Sequence, residues 1–500
     1  MEKKLDLRLI AAAGLLLLLA AGCRAVHTPA HQQELARLYY GGDVAGAARY
    51  ASAISGEEKD NTSGQALLWH LEAGSVNLDA GNFKESQSCL ERAEKLLYLF
   101  DGSAPRFHRP GPGTYRGTRS DRILLHLLKG FNYLEENKLE DFLVEIRRLR
   151  AEQFRYVLDE ADPGIRLYEA KNSGRSGVVP FAMRDLAAGK GEKSLIFRAA
   201  QLNDAFLEYS QRRRPRLPLL YNPLAFYLSA LAYAFDNDYE EAVIDFRYLL
   251  MLDPLNPLYR QDCAALLTAL GDGLPEELKG TPKTAAPDDQ VVCFIVGRGC
   301  PDAWASRKLT YLLPGKVPTD WSFSYPDRRP QKDPGFSVQC GGRTVAAGSH
   351  LADLSEIANE EYWQQIFPGM VDRAYKATLA MTAAHTAAKA SLATALAMPS
   401  SDYKPIVVAA ARASVAATSR ASVNQLEWRR WITLPRSYSV AHVRLPLPGS
   451  SRKMTLAANT DGGSVQTFDL DFAPETNRAV VYLRDIGNGR FVLKKWESME

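Results

Sequence analysis

The chain has 500 residues, room for about three domains at roughly 150 residues each. Hydrophobic residues are 46% and charged residues 24%, and 61 basic against 58 acidic side chains leave a net charge of +3. That profile excludes a largely disordered chain, a collagen-like repeat and a polytopic membrane protein. So small a net charge leaves no footprint for nucleic acid, and six cysteines in this length cannot make a disulfide scaffold.

In chain order the first element is a secretory signal. Lys3, Lys4 and Arg8 precede Leu9–Ala21, a 13-residue apolar run broken only by Gly14. The run falls short of the ~20 residues that span a bilayer. Leu19-Ala20-Ala21-Gly22-Cys23 resembles the lipobox of bacterial lipoproteins. The resemblance implies cleavage before Cys23, a thioether-linked diacylglyceryl group on its thiol, and an N-terminus held in a membrane by acyl chains. Arg24 follows the cysteine where Asp would retain a lipoprotein at the inner membrane, so the resemblance implies the outer membrane, facing the periplasm. Residues 1–22 are thus read as signal peptide and 23–30 as the lipidated N-terminus. Cys89 and Cys263 lie on apolar helix faces and read as core thiols, whereas Cys293, Cys300 and Cys340 could pair in an oxidising periplasm.

Residues 31–270 read as helices, with apolar residues at three- and four-residue spacing. Three segments align. His70, Gly74, Asn77, Gly81, Phe83, Ser86 and Leu90 match His126, Gly130, Tyr133, Asn137, Leu139, Phe142 and Ile146. Phe226, Ala230, Tyr233, Asn237, Tyr239, Ala242 and Phe246 follow the same pattern, closed by Pro254. A small residue on each first helix lets the second approach, and Gly or Asn supplies a left-handed turn. The pattern resembles tetratricopeptide helix-turn-helix repeats, with segments inserted between copies. Such pairs stack and leave a concave groove, to be filled by a partner or by the chain's own inserted segments.

A Pro/Gly-rich linker at 271–289 separates an α+β region at 290–500. Strands are expected at Gln290–Val296, Lys308–Leu313, Phe336–Cys340, Ser439–Leu445, Lys453–Ala458, Val465–Phe472 and Arg478–Arg484. Between them Leu351–Met398 and Ile406–Trp428 read as a helical hairpin, and residues 374–398 hold 11 alanines in 25. Charges punctuate it, so it reads as a tightly packed soluble hairpin rather than a membrane-inserting one. The fold class expected is α+β, a tetratricopeptide-like array followed by strands around an alanine-rich αα-hairpin.

The whole resembles an uncharacterised family of bacterial lipoproteins with tetratricopeptide-like repeats. The matching stretches are Leu71-Glu72-Ala73-Gly74 with Asn82-Phe83 and Ser86, Val144–Arg148, Tyr221-Asn222-Pro223, Asp245-Phe246-Arg247 and Arg429-Arg430-Trp431-Ile432-Thr433-Leu434-Pro435. The resemblance implies an envelope protein and supplies no activity.

No zincin, nucleophile-elbow, Walker or dinucleotide fingerprint occurs in the sequence. Gly189-Lys190-Gly191-Glu192-Lys193-Ser194 has phosphate-loop composition at the wrong spacing, and the eight histidines are scattered along the chain, so a metal site is not expected. Asp236, Asp238, Glu240 and Glu241 read as a turn and first helical turn rather than a calcium loop. Glu145 and Arg148 fit a structural i,i+3 pair. Arg212, Arg213, Arg214 and Arg216 could hold an anionic polymer or lipid head groups, against the plainer reading of a solvated helix end. The reading is therefore a non-enzymatic scaffold with no metal or cofactor, whose partners are envelope proteins. A glycan- or other ligand-binding outer-membrane lipoprotein is the alternative, and a peptidoglycan-acting enzyme the second.

Overall fold

The computed structural model describes residues 29–498 apart from 58–63, 101–113, 159–221, 282–290, 313–317, 328–332, 363–366, 398, 401–403, 419–420, 426–428, 445–451, 461 and 488. The signal peptide with Cys23 and the Arg212–Arg216 cluster lie outside the described residues. The fold is α+β, a helical half followed by sheets and an alanine-rich hairpin.

The helical half consists of antiparallel pairs. These are α1 (Pro29–Tyr40) with α2 (Val44–Glu57), α3 (Ala66–Asp79) with α4 (Phe83–Tyr98), α5 (Arg119–Glu135) with α6 (Leu139–Leu158), and α7 (Pro223–Phe235) with α8 (Tyr239–Leu252), followed by α9 (Pro257–Ala269). The turns follow the repeat logic. Gly81, Asn137 and Asn237 occupy equivalent positions and adopt φ of 81°, 56° and 60°, the left-handed region that glycine and asparagine tolerate best. Gly74 is required for a different reason: a Cβ there would lie 2.5 Å from Leu90 Cδ2 of the second helix. The space opposite Gly130 is taken by Phe142, 3.0 Å from where a Cβ would stand. Ser86 donates to the carbonyl of Gly74 at 2.7 Å and accepts from Asn132 at 2.8 Å, tying one pair to the next. The first pair, α1 with α2, and the closing α9 were not among the aligned segments.

Beyond the array lie β1 (Val291–Arg298), β2 (Trp304–Leu312), β3 (Pro318–Pro326), β4 (Phe336–Cys340), β5 (Arg343–Ala347) and β6 (Ser349–Asp353). Then come α10 (Leu354–Glu361), α11 (Phe367–Ala397), α12 (Lys404–Thr418) and β7 (Ala421–Gln425). The chain closes with β8 (Ser437–Arg444), β9 (Lys453–Asn459), β10 (Val465–Asp471), β11 (Arg478–Gly487) and β12 (Arg490–Ser498). The main sheet has the order β12-β11-β1-β8-β6, with β1 parallel to β11 and antiparallel to β8. A second sheet runs β10-β9-β4-β5 and a third β2-β3-β7.

Burial explains why β1 is an unbroken apolar run. Cys293 and Ile295 face the helical array, while Val292, Phe294 and Val296 face the second sheet. A strand covered on both faces has no polar side to alternate with. Tyr482 and Val480 of β11 follow Cys293 toward the helices, and Val481 and Leu483 turn the other way. The array, the main sheet and the second sheet are thus three layers. One hydrophobic core runs from Leu67 and Phe131 through Tyr227 to Tyr482 and Trp496. Phe131 stacks on Trp496 with ring centroids 5.3 Å apart and lies 4.7 Å from the Tyr482 ring.

Three expectations change. The helical reading of Leu351–Met398 began too early: 351–353 finish β6, where Ser349–Asp353 pair with β8, and Asp353 then caps α10 by accepting from Glu356 N at 2.9 Å. The helical reading of Ile406–Trp428 ran too far: residues 421–425 form β7, pairing parallel with β3. Cys293, Cys300 and Cys340 form no disulfide; Cys293 is buried in the main sheet while Cys300 is exposed, and all five described cysteines are free thiols.

Candidate functional site

The two most distinctive motifs, Leu71–Gly74 and Arg429–Pro435, are 361 residues apart at their point of contact and meet against the first helices of the first two pairs. Residues 429–436 cross these helices as a strap. Gln32 donates to the carbonyl of Arg430 at 2.7 Å, Tyr40 to that of Ile432 at 2.5 Å, and Arg429 to that of Gly64 at 3.2 Å. Glu72, fully buried on α3, takes the centre. Its carboxylate accepts from the N–H of Ile432 at 2.7 Å, the N–H of Thr433 at 3.2 Å and the Thr433 hydroxyl at 2.7 Å. The Trp431 indole donates to that same hydroxyl at 3.1 Å. Burial pushes the Glu72 carboxyl up to about 7, against the pull of its donors from Thr433 and Ile432, and neighbouring Asp121 adds to the rise.

The strap ends at the carboxyl ends of the parallel pair β1 and β11, the place where open α/β sheets often carry their polar groups. Arg436 donates to Asp302 at 2.8 Å, and its N–H to the carbonyl of Arg298 at 2.7 Å. Arg484, buried on β11, donates to the carbonyls of Gly299, Asp485 and Thr433 at 3.0, 2.7 and 3.2 Å, and its guanidinium lies 5.9 Å from the centre of the Tyr39 ring. Tyr39 in turn donates to Asp79 at 2.5 Å. Arg298 donates to the carbonyls of Asn459 and Gly335 at 2.7 and 2.8 Å and lies 3.3 Å from Asp333.

Asp333 gathers the more reactive groups. It accepts from the Ser439 hydroxyl and from Gly335 N, with His350 Nδ1 at 3.7 Å. Burial would raise its carboxyl, but the bonds from His350, Ser439 and Gly335, with Arg298 nearby, hold it well below the usual carboxylate range. Its hydrogen bond and charge raise His350 in return. Serine, histidine and aspartate are together here in an order that does not activate the serine. The Ser439 proton goes to a carboxylate held ionised, and the imidazole meets that carboxylate rather than the hydroxyl. The buried charges of Arg298, Arg436 and Arg484 are each met by a carboxylate or by backbone carbonyls.

The repeat positions are scaffold. Gly74, Gly130 and Ala242 are buried at helix crossings, and Phe83, Tyr133, Tyr233 and Tyr239 lie half-buried against the core. Gly81 is an exposed turn and Pro254 is exposed past the end of α8. Lys494 of β12 lies 4.5 Å from the Phe83 ring centre, and Arg150 lies 5.0 Å from that of Tyr233. The Glu145–Arg148 pair forms at 3.0 Å, but His126 at 2.6 Å and Lys129 at 2.8 Å bind the same buried carboxylate. Asp238 caps α8 by accepting from Glu241 N at 3.3 Å, as expected of a turn. Sequence reasoning passed over Arg298, Asp302, Asp333, His350, Ser439 and Asp485, because residues far apart in the chain, such as Arg298 and Asp485 at 3.6 Å, converge only in three dimensions. One signal was available: Glu72 and Thr433 are polar residues with apolar neighbours on both sides, Leu71 and Ala73 for one and Ile432 and Leu434 for the other. Among the described residues no group of His, Cys, Asp and Glu could hold a metal ion, and no helix is long and apolar enough to cross a membrane. Neither a protein-family profile nor a curated protein matches the chain.

Proposed function

We propose that the chain is a non-catalytic scaffold lipoprotein, held at the outer membrane by acyl chains on Cys23 and binding protein partners in envelope assembly or cell-wall synthesis. The strap occupies the first helices of the first two pairs, which leaves the second helices for a partner surface. The observation that carries this is a set of exposed apolar side chains on the second helices. Val144 and Ile244 occupy equivalent positions of two helix pairs, Met251 lies further along α8, and Leu255 lies just past its end. Apolar side chains grouped on a solvent face are a common mark of protein contacts. Two experiments test the reading. Cys23→Ser should move the protein from the membrane fraction to the periplasmic fraction; a variant that stays membrane-bound refutes the anchor. A photo-cross-linking residue at Val144 or Ile244 should give a discrete adduct in intact cells that is absent when it is placed at buried Leu149. Adducts at neither exposed position refute the outer-face scaffold.

A further inference from the structure

Much of the described surface of the alanine-rich hairpin is exposed. Its 31-residue helix α11 is about 46 Å long at 1.5 Å per residue. It packs mainly on α12 and at its base on β7. The seam between the helices is narrow: His385, Ala388 and Ala395 of α11 and Ala411 of α12 are buried in it. Small side chains allow that close approach, and most of the other described side chains from 383 to 414 are exposed. A solvent-facing helix surface is normally rich in both signs of charge. This one is alanine and serine with cations set among them, such as exposed Lys389 and Arg412.

The charge is one-sided. From the start of α11 to the end of α12 stand Arg373, Lys376, Lys389, Lys404 and Arg412 against Asp372 and Asp402, in a chain that is otherwise nearly balanced. Toward the tip, where α11 ends and α12 begins, Leu396 is 50% exposed and Ile406 67% exposed. Cations along the shaft with aliphatic side chains at the end match a phospholipid surface, phosphates outside and hydrocarbon beneath. The same cations disfavour a second copy of the hairpin as the occupant.

We propose that this hairpin docks peripherally on an anionic phospholipid bilayer, with Lys389 and Arg412 against lipid phosphates and Leu396 and Ile406 in the boundary between head groups and acyl chains. Neither helix crosses the bilayer, consistent with their hydropathy. The docking is separate from any acyl chain at Cys23, so its test uses the full chain carrying Cys23→Ser, and failure leaves the anchor reading untouched.

The assay is co-sedimentation with phosphatidylcholine vesicles and with mixed phosphatidylcholine–phosphatidylglycerol vesicles. The Cys23→Ser protein should partition onto the mixed vesicles, more weakly as salt is raised, and far less onto the neutral ones. Adding Lys389→Glu and Arg412→Glu should weaken that partitioning at least about tenfold, since each cation near the surface contributes about 1 kcal/mol. Leu396→Ser with Ile406→Ser should weaken it by a similar factor in a way that salt does not restore. All four positions are exposed, so circular dichroism and thermal midpoints should not move. Equal binding to neutral vesicles, no binding to either, or hairpin variants that bind as well as the parent would each overturn the proposal. The last two outcomes would turn attention to an acidic protein as the occupant.

Discussion

Glu72 fastens the strap to the array, and the cost of disturbing it can be worked from its bonds. Glu72→Ala leaves the Ile432 N–H, the Thr433 N–H and the Thr433 hydroxyl without their acceptor. At about 1–3 kcal/mol for each buried unsatisfied group, the loss is roughly 3–6 kcal/mol, allowing for partial relaxation. Glu72→Gln keeps one acceptor oxygen and should cost less, and it isolates the proton. Burial raises the folded-state pKa from 4.5 to about 7. A raised carboxyl is held more tightly protonated in the folded protein. Its stability contribution is therefore complete below pH 4.5 and is lost as the pH rises through about 7. The difference is on the order of 3 kcal/mol. Urea midpoints of the two proteins measured near pH 5 and near pH 7.5 give the comparison. The wild type should lose stability relative to Glu72→Gln across that interval, because only the wild type titrates there at this position. If the gap between the two proteins is the same at both pH values, Glu72 is not the buried acid described here.

Other outcomes follow from the same geometry. Glu145→Ala strips His126 of its carboxylate and leaves buried Lys129 with Glu94 alone, 2.6 Å away; chemical denaturation should report a loss of about 1–3 kcal/mol, the cost of buried polar groups losing one partner. Gly74→Ala brings a methyl onto Leu90 and should cost about 1–3 kcal/mol, with part of that recovered by Leu90→Ala in the double variant. Asn237→Gly should leave the thermal midpoint unchanged or raised, while Asn237→Val, forced into the left-handed region, should lower it. In a Cys23→Ser background a thiol reagent at neutral pH should modify exposed Cys300 first. Cys89, Cys263 and Cys293, whose thiols burial pushes up to about 12, 11 and 12, should react only on unfolding. Fast labelling of Cys293 in the native protein would contradict its placement inside the main sheet.

Local chemistry was readable directly. The three aligned repeats were recovered from small residues at helix crossings and left-handed turns, because each constraint acts within a few residues of the side chain that satisfies it. Apolar β1 was legible for the same reason, since a run covered on both faces has no alternation to misread. β3, β5 and β12 were not expected as strands, and the helical readings overran β6 and β7: each of these two five-residue strands exists because β8 or β3 lies beside it, and nothing in Ser349–Asp353 or Ala421–Gln425 alone outbids the neighbouring helix pattern. The sequence determined that the chain is an α+β protein with helix pairs before strands. The tertiary structure alone decided that residues 429–436 strap the first two helix pairs to the sheets. That outcome depends on a carboxylate at position 72 finding backbone donors at 432 and 433, a contact whose partners are separated by most of the protein and whose value comes from exclusion of water at a seam that exists only once both halves have folded together.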